Sequence, residues 1–342
     1  MSRRGPPVEP SCRQATGEYL THSVSMLGIG SLELGPGPQI LDLLRDIVRT
    51  LPADLTAWTL TKPLPLDTNA STLEALRGLG MRRLGVVSLA NELIYSGLEE
   101  DDIQTTTRHL NEAGLHWVGL SVRKEDLVSV NGLRISVLAY CAVYKECEDS
   151  GGLFSPVKYS PRTAATAVKS LKSRGADVIV VMVRWGRGGS YLPDETVLAT
   201  ARYLASLGVT LIIGDHPALQ QGHAYFEGTL VIFSPGSFSQ SSASPHLCWQ
   251  QGEDGRLEYS QAERCQSVHP SLRRSLLARQ QQTSLYQILL SRSLPPVAQY
   301  VSLPRSRGGS GLQLPRPPAN ESLSWIRVCG EQDLNCLACH SM

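Results

Sequence analysis

Residues 161–217 read PRTAATAVKSLKSRGADVIVVMVRWGRGGSYLPDETVLATARYLASLGVTLIIGDHP, and this stretch decides the fold class. Helical periodicity over Ala164–Arg174 stops at a glycine, and the apolar run Val178–Val183 that follows is typical of a buried strand. The same order repeats with a helix over Asp194–Leu207, a glycine and a strand over Thr210–Ile213. Helix, glycine and strand in succession predict an α/β domain.

The same alternation continues on both sides of this stretch, over about residues 22–240. Further strands are predicted at Val24–Leu27, Leu55–Leu60, Arg83–Leu89, Trp117–Gly119, Arg134–Tyr140 and Thr229–Ser234. Further helices are predicted at Ile40–Arg49, from Asn69 or Ser71 to Leu79, and at Glu99–Ala113. The dipeptide Asn131-Gly132 predicts a turn that leads into one of these strands.

The ends of the chain do not follow this pattern. Residues 1–20 are polar and predict a flexible N-terminus, and one α/β domain is predicted over 21–250. A helical extension is predicted over 251–302, built around one long helix at Ser271–Arg292. Residues 303–342 are rich in Pro, Gly, Arg and Cys, which predicts a mostly disordered tail.

The composition is that of a globular chain with little net charge. The 32 Lys and Arg residues against 31 Asp and Glu leave +1, which excludes a global electrostatic attraction to nucleic acid or to an anionic membrane. No apolar run reaches the roughly 18 residues of a membrane-spanning helix, and no apolar segment follows the basic N-terminal residues. We therefore expect a cytoplasmic protein with no nucleic-acid or membrane partner, whose eight cysteines are reduced thiols.

Four segments, taken in order, resemble the motifs of a known family. They are Asp54–Leu64, Val87–Asn91, Asp177–Gly186, and Leu211–Pro217 with the later Phe233–Phe238. Together they resemble the CapA family of capsule-synthesis and poly-γ-glutamate biosynthesis proteins, which is similar to the metallophosphoesterase superfamily. The resemblance covers about residues 22–240. It implies a metallophosphoesterase-like layered α/β sandwich with the active site on loops at the strand ends.

The resemblance also implies a two-metal hydrolytic centre, but most of its ligand positions are changed in this chain. Positions where the family has a carboxylate, amide or imidazole carry Ile29, Thr59, Thr61, Leu93, Arg184, Gly188, Ala218 and Ser237. Asn91 and His216 match family ligands, and Glu92 and Asp215 lie beside them; Glu33 is a further possible substitute. A guanidinium repels a metal ion rather than binding it, so these changes indicate a pseudoenzyme.

The first hypothesis is a catalytically inactive CapA-like domain that binds a small anion or a protein partner and needs no cofactor. Its Arg184 is expected to pair with Asp215 and so to close the former metal site. The candidate ligand-binding residues are Asn91, Glu92, Arg184, Trp185, Arg187 and Ser237. Trp185 is also consistent with simple packing, and His216 with a histidine hydrogen-bonded at a strand end.

Two alternatives stay open. One is a hydrolase of phosphate esters or γ-glutamyl-type amides, with Mn, Fe or Zn at a site remodelled around Asn91 and Glu92, and with Asp215 and His216 as catalytic residues. The other is an interaction protein that works through residues 266–342. That tail contains Cys329, Cys336, Cys339 and His340. These residues allow three interpretations: a zinc site, a c-type haem attachment, or a frayed end that carries thiols.

Overall fold

The fold is given by a computed structural model. It describes residues 23–32, 53–64, 66–68, 70–80, 84–91, 100–121, 127–143, 147, 154–188, 190, 192–217, 219–237, 247–251, 257–261, 282–292, 294–304 and 326–328. The predicted flexible N-terminus, the predicted helix over Ile40–Arg49, and the C-terminal cysteine cluster lie outside these residues.

The described residues form fifteen strands and four helices. The strands are β1 (Ser23–Leu32), β2 (Leu55–Leu60), β3 (Leu84–Ser88), β4 (His116–Val118), β5 (Val128–Val130), β6 (Leu133–Cys141), β7 (Val178–Arg184), β8 (Leu211–Asp215), β9 (His223–Phe226), β10 (Thr229–Ile232), β11 (Leu247–Gln251), β12 (Leu257–Gln261), β13 (Gln282–Ser291), β14 (Val297–Pro304) and β15 (Ile326–Val328). The helices are α1 (Ala70–Gly80), α2 (Glu100–Glu112), α3 (Pro161–Ser173) and α4 (Glu195–Ser206). None of these helices is long and apolar enough to cross a membrane.

The strands form two large sheets and one small one. The first sheet has the order β15-β14-β13-β1-β2-β3-β4, in which β1 to β4 are parallel and β13 to β15 antiparallel. The second has the order β5-β6-β7-β8-β10-β9, with β6, β7, β8 and β10 parallel. Strands β11 and β12 form a separate hairpin.

The two large sheets pack face to face, with helices on both outer sides. Alternate strand residues explain the layers: Val180 and Met182 of β7 lie in the core between the sheets, whereas Val181 and Val183 belong to the outer core. Helices α3 and α4 cover that outer face, and α1 and α2 contribute to the core on the outer face of the first sheet. The predicted layered α/β sandwich is therefore confirmed as four layers, helix on sheet on sheet on helix.

Local signals fix the ends of several elements. Ser160 Oγ accepts a hydrogen bond from the Thr163 amide at 3.1 Å and caps α3, whose first residue is a proline. Asp194 caps α4 in the same way. The predicted turn before β6 is present, because Asn131 and Gly132 have φ of 48° and 79°, the left-handed values that a tight hairpin needs.

The predicted helix over Ser271–Arg292 is wrong in its described part, which forms β13. Three alternate residues of this strand, Tyr286, Ile288 and Leu290, lie in the core between the sheets. The backbone of β13 pairs antiparallel with β1, which lies near the other end of the chain. Its N–H and C=O groups are therefore satisfied by hydrogen bonds between strands instead of hydrogen bonds within a helix. The extension over 251–302 is thus built of strands where it is described, and β15 lies within the predicted tail.

An aromatic cluster joins the β13–β14 hairpin to edge strand β9. The His223 ring lies edge-on to Tyr300, with centroids 5.5 Å apart, and its Nδ1 is 3.4 Å from the Tyr286 hydroxyl. The two tyrosine rings stack at 5.4 Å, and the Tyr225 hydroxyl donates to the Pro296 carbonyl at 2.7 Å. Burial lowers the pKa of His223 and raises that of the Tyr286 phenol, so both groups are uncharged at neutral pH.

Acidification is expected to weaken this junction. Since the folded pKa of His223 is depressed, the unfolded chain takes up the proton first as the pH falls through about 6.5. The stability that neutral His223 contributes is therefore present above that pH and lost as the pH falls toward the folded pKa. Thermal midpoints at pH 7.5 and 5.0 test this: the His223→Phe variant keeps the ring contacts and should lose less stability than the natural protein. Equal losses would contradict the assignment.

Candidate functional site

The carboxyl ends of the parallel strands of both sheets meet at one edge of the sandwich. Ser31 at the end of β1 forms an isolated parallel bridge with Ser237, which follows β10, so the two sheets are joined there through their backbones. The approach is close enough that a Cβ on Gly30 would collide with the Gly236 carbonyl oxygen. Ligand sites of open α/β sheets lie at this edge, so the residues that end the strands here form the candidate site.

The predicted ion pair between Arg184 and Asp215 is present at this edge. These residues end the neighbouring parallel strands β7 and β8 and are Cα partners in the register. Arg184 Nη1 donates to Asp215 Oδ2 at 3.0 Å, and the two side chains are only 6% and 9% exposed. Both charges have lost their hydration on burial. The direct interaction between the two groups offsets that loss only because their geometry is favourable.

At the same edge of the sandwich, the first sheet carries hydroxyl groups. Thr59 of β2 and Ser88 of β3 are Cα partners, and Ser31 of β1 is the partner of Thr59, so the three make one row across the strands. All three are buried. Thr59 and Ser88 alternate with Ala57 and Val86 of the core between the sheets, and two-residue spacing along a strand keeps them on the face toward the second sheet.

Ser31 is a residue of this edge that is not among the site residues predicted from the sequence. The motif comparison placed the family's first carboxylate on Ile29, but β1 runs on to Leu32, and Ile29 packs in the helix-covered core instead. The signal that would have found Ser31 is the pair of glycines at 28 and 30, because glycine inside a strand marks a bulge or a close backbone approach. The register between β1 and β2 indeed shifts between Gly28 and Ser31. Glu33 lies outside the described residues.

Asn91 and His216 occupy loops directly after strands of this edge. Asn91 is fully buried, and its Nδ2 donates to the Leu60 carbonyl at the end of β2. His216 has a φ of 96°, a left-handed conformation that is rare for a residue with a side chain. Its Nδ1 lies 3.0 Å from the Gly186 carbonyl oxygen, which can only accept, so Nδ1 carries the proton in the neutral ring.

The other predicted ligand-binding residues are not brought together. Trp185 is 2% exposed, and its indole N–H donates to the Phe233 carbonyl at 3.0 Å, so this side chain packs rather than forming a ligand platform. Ser237 is buried at the bridge between the sheets, whereas Arg187 is exposed on the loop after β7. Glu92 lies outside the described residues.

Among the described residues, no three His, Cys, Asp or Glu side chains form a group that would hold a metal ion. The Asp215 carboxylate already accepts from a guanidinium, and the row at 31, 59 and 88 offers hydroxyls where divalent metals prefer carboxylates.

A disulfide lies beside the ion pair. Cys141, the last residue of β6, is bonded to Cys147, with Cα atoms 5.8 Å apart, and is the Cα partner of Arg184. The prediction that all cysteines are reduced thiols is therefore wrong for this pair. The eight cysteines are scattered along the chain without a recognisable framework, so a spacing of six residues could not be identified as a bridge.

Comparisons with known proteins agree on one family. The sequence model of the family described as "Bacterial capsule synthesis protein PGA_cap" matches residues 56–242, which is more than half of the chain. The chain is 25% identical over 188 residues to the capsule biosynthesis protein CapA of Bacillus anthracis and 23% identical over 185 residues to the PGA biosynthesis protein CapA of Bacillus subtilis (strain 168). Each match covers 52% of this chain but only 44% and 47% of those relatives, so the chain spans less than half of their length.

Among solved structures, the chain is similar to a 5'-nucleotidase precursor from Thermus thermophilus. The identity is 14% and the TM-score 0.41, over 82% of this chain and 54% of that one.

Proposed function

Because the chain belongs to the PGA_cap family of bacterial capsule synthesis proteins, we propose that it is a CapA-like binding domain without catalytic activity. The observation that carries the proposal is the buried pair of Arg184 and Asp215 at the strand ends. In this proposal the pair takes the place of the metal centre and holds the site closed without a metal.

Electrostatics supports this exchange of a metal for an ion pair. A divalent cation that bound Asp215 would lie close to the guanidinium of Arg184, whose Nη1 is 3.0 Å from Asp215 Oδ2. Both cations would be buried, and like charges at such distances repel strongly where little water screens them. The ion pair therefore opposes metal binding in two ways. Arg184 and Asp215 attract each other, and Arg184 repels the divalent cation.

The hydroxyl row supports the same proposal from the other sheet. Ser31, Thr59 and Ser88 are uncharged and cannot compensate two divalent ions in a buried layer. Their hydroxyls both donate and accept hydrogen bonds, so a buried row of them is stable beside a neutral ion pair. In this proposal the edge is a closed polar layer, and the partner, a small anion or a protein, binds at the loops above it, where Arg187 is exposed.

One observation favours the competing hydrolase hypothesis. The strained backbone of His216 and the anchoring of its Nδ1 by a backbone carbonyl are typical of a histidine that presents Nε2 to a metal. On that hypothesis Mn, Fe or Zn would supply a hydroxide nucleophile at Asn91, Glu92, Asp215 and His216.

An activity assay distinguishes the inactive binding domain from the metal-dependent hydrolase. Full-length protein with added Mn²⁺, Fe²⁺ or Zn²⁺ is tested on p-nitrophenyl phosphate, bis-p-nitrophenyl phosphate and a γ-glutamyl anilide, beside the His216→Ala variant as control. We expect both proteins to release product at the same background rate. Turnover by the natural chain that is lost in His216→Ala would establish the hydrolase and overturn the proposal.

A further inference from the structure

The Cys141–Cys147 disulfide lies at the site edge and closes only a short loop. Both cysteines are buried, at 0% and 1% exposure, and with Val143 they form a small cluster of their own. A bridge between residues six apart in the sequence constrains the unfolded chain less than a bridge across a long loop would. Its local effect is to fix Cys147 to the end of β6.

The bonded segment is tied directly to the ion-pair strand. Cys141 is the Cα partner of Arg184, and the Ala142 amide donates to the Arg184 carbonyl at 2.7 Å. On its other side, Cys141 makes backbone hydrogen bonds of 2.8 Å with Val157 and Tyr159. The sulfur bridge therefore begins one residue away from a hydrogen bond that positions Arg184.

We propose that this disulfide is a reversible redox tether that controls the site. In the oxidised form, the bridge holds Cys147 on the end of β6 and keeps the Ala142 amide on Arg184. Reduction by a dithiol gives two thiols, while the dithiol becomes a disulfide; the reverse step passes two electrons and two protons from the cysteines to a small disulfide such as oxidised glutathione. Once reduced, Cys147 keeps only its backbone hydrogen bond to the Val143 carbonyl, at 3.4 Å, and the Ala142–Arg184 contact loosens.

Burial of the two sulfurs makes this exchange dependent on local opening. A thiolate must reach one sulfur in line with the bridge, so attack requires the buried cluster around Val143 to open first. Such an arrangement responds to a sustained change of redox poise and resists brief exposure to thiols. The inference rests on the proposed function only in treating the Arg184–Asp215 edge as the binding site.

Hydrogen–deuterium exchange on the full-length protein tests the tether. Non-reducing peptide mapping should first show Cys141 and Cys147 linked. On reduction with dithiothreitol in native buffer, exchange at Ala142 and Val143 and at the start of the loop after Arg184 should rise about tenfold or more, as expected for a local opening. Amides in the middle of β7 should not change.

Two variants serve as controls. Cys147→Ser should show the raised exchange in both buffers, whereas Cys248→Ser on β11 should respond to the reductant as the natural protein does. The proposal is overturned if the two cysteines are not linked in the oxidised protein, or if reduction of the link leaves exchange around Ala142 and Arg184 unchanged. Metal content and hydrolytic activity are measured separately, so failure of the proposed function is distinguishable from failure of the tether.

Discussion

Replacing Asp215 with alanine is expected to destabilise the protein by about 3–5 kcal/mol, the usual cost of breaking a buried ion pair by removing one of its partners. Arg184 stays behind with its charge, and only 6% of its side chain reaches solvent. A guanidinium does not lose its proton at accessible pH, so it cannot relieve the cost by becoming neutral. Urea unfolding, followed by far-ultraviolet circular dichroism, gives the change in the free energy of unfolding.

A double variant provides the matched control. Arg184→Met together with Asp215→Leu removes both charges and keeps roughly the same volume, and such replacements are neutral or stabilise by about 1–4 kcal/mol. We therefore expect the double variant to recover the stability that Asp215→Ala loses. If the free energy of unfolding of the single variant falls by less than about 1 kcal/mol, Arg184 behaves like a solvated surface charge. That result would contradict the proposal that the ion pair closes the site.

Gly30→Ala is expected to have the second large effect, because a Cβ at this position would collide with the Gly236 carbonyl oxygen. The obstacle is backbone on both sides of the bridge between Ser31 and Ser237, so no side chain can swing away to make room. Overpacking of a tight site typically costs about 1–3 kcal/mol, and a backbone clash lies at the upper end of that range or beyond it.

Gly28→Ala, two residues earlier in the same strand, is the control for this prediction. A Cβ there would meet Ile213, Ile288 and Tyr286 at 3.5–3.6 Å, which is ordinary van der Waals contact. Its expected change is within about 1 kcal/mol of zero, since alanine also restricts the unfolded chain. Urea midpoints and soluble yields of the two variants are compared; equal effects would show that the sheets do not approach each other at Gly30.

The part of the fold that local patterns govern was predictable from the sequence. The order helix, glycine, strand over 161–217 predicts α3, β7, α4 and β8, because the apolar runs are long and the capping residues Ser160 and Asp194 stand where they are needed. Strand β13 was not predictable in this way. Its three leucines and one isoleucine suit a helix as well as a strand, and the pairing with β1, which no local window of sequence contains, decides between them.

The candidate site was predictable in part for a related reason. Arg184 and Asp215 each end an apolar strand, and the resemblance placed those strands side by side, so their pairing followed. The hydroxyl row depends on the register between β1, β2 and β3, which the sequence does not reveal. The burial of Trp185 and the disulfide likewise depend on contacts between distant segments or on a loop path.

The metal content of the protein shows whether the buried ion pair replaces a metal centre. Elemental mass spectrometry is performed on the full-length protein purified without chelator, beside the His216→Ala variant. We expect no Mn, Fe or Zn at stoichiometric level that depends on His216, with both proteins folded by circular dichroism. One or two equivalents of metal in the natural chain, lost in His216→Ala, would contradict the claim.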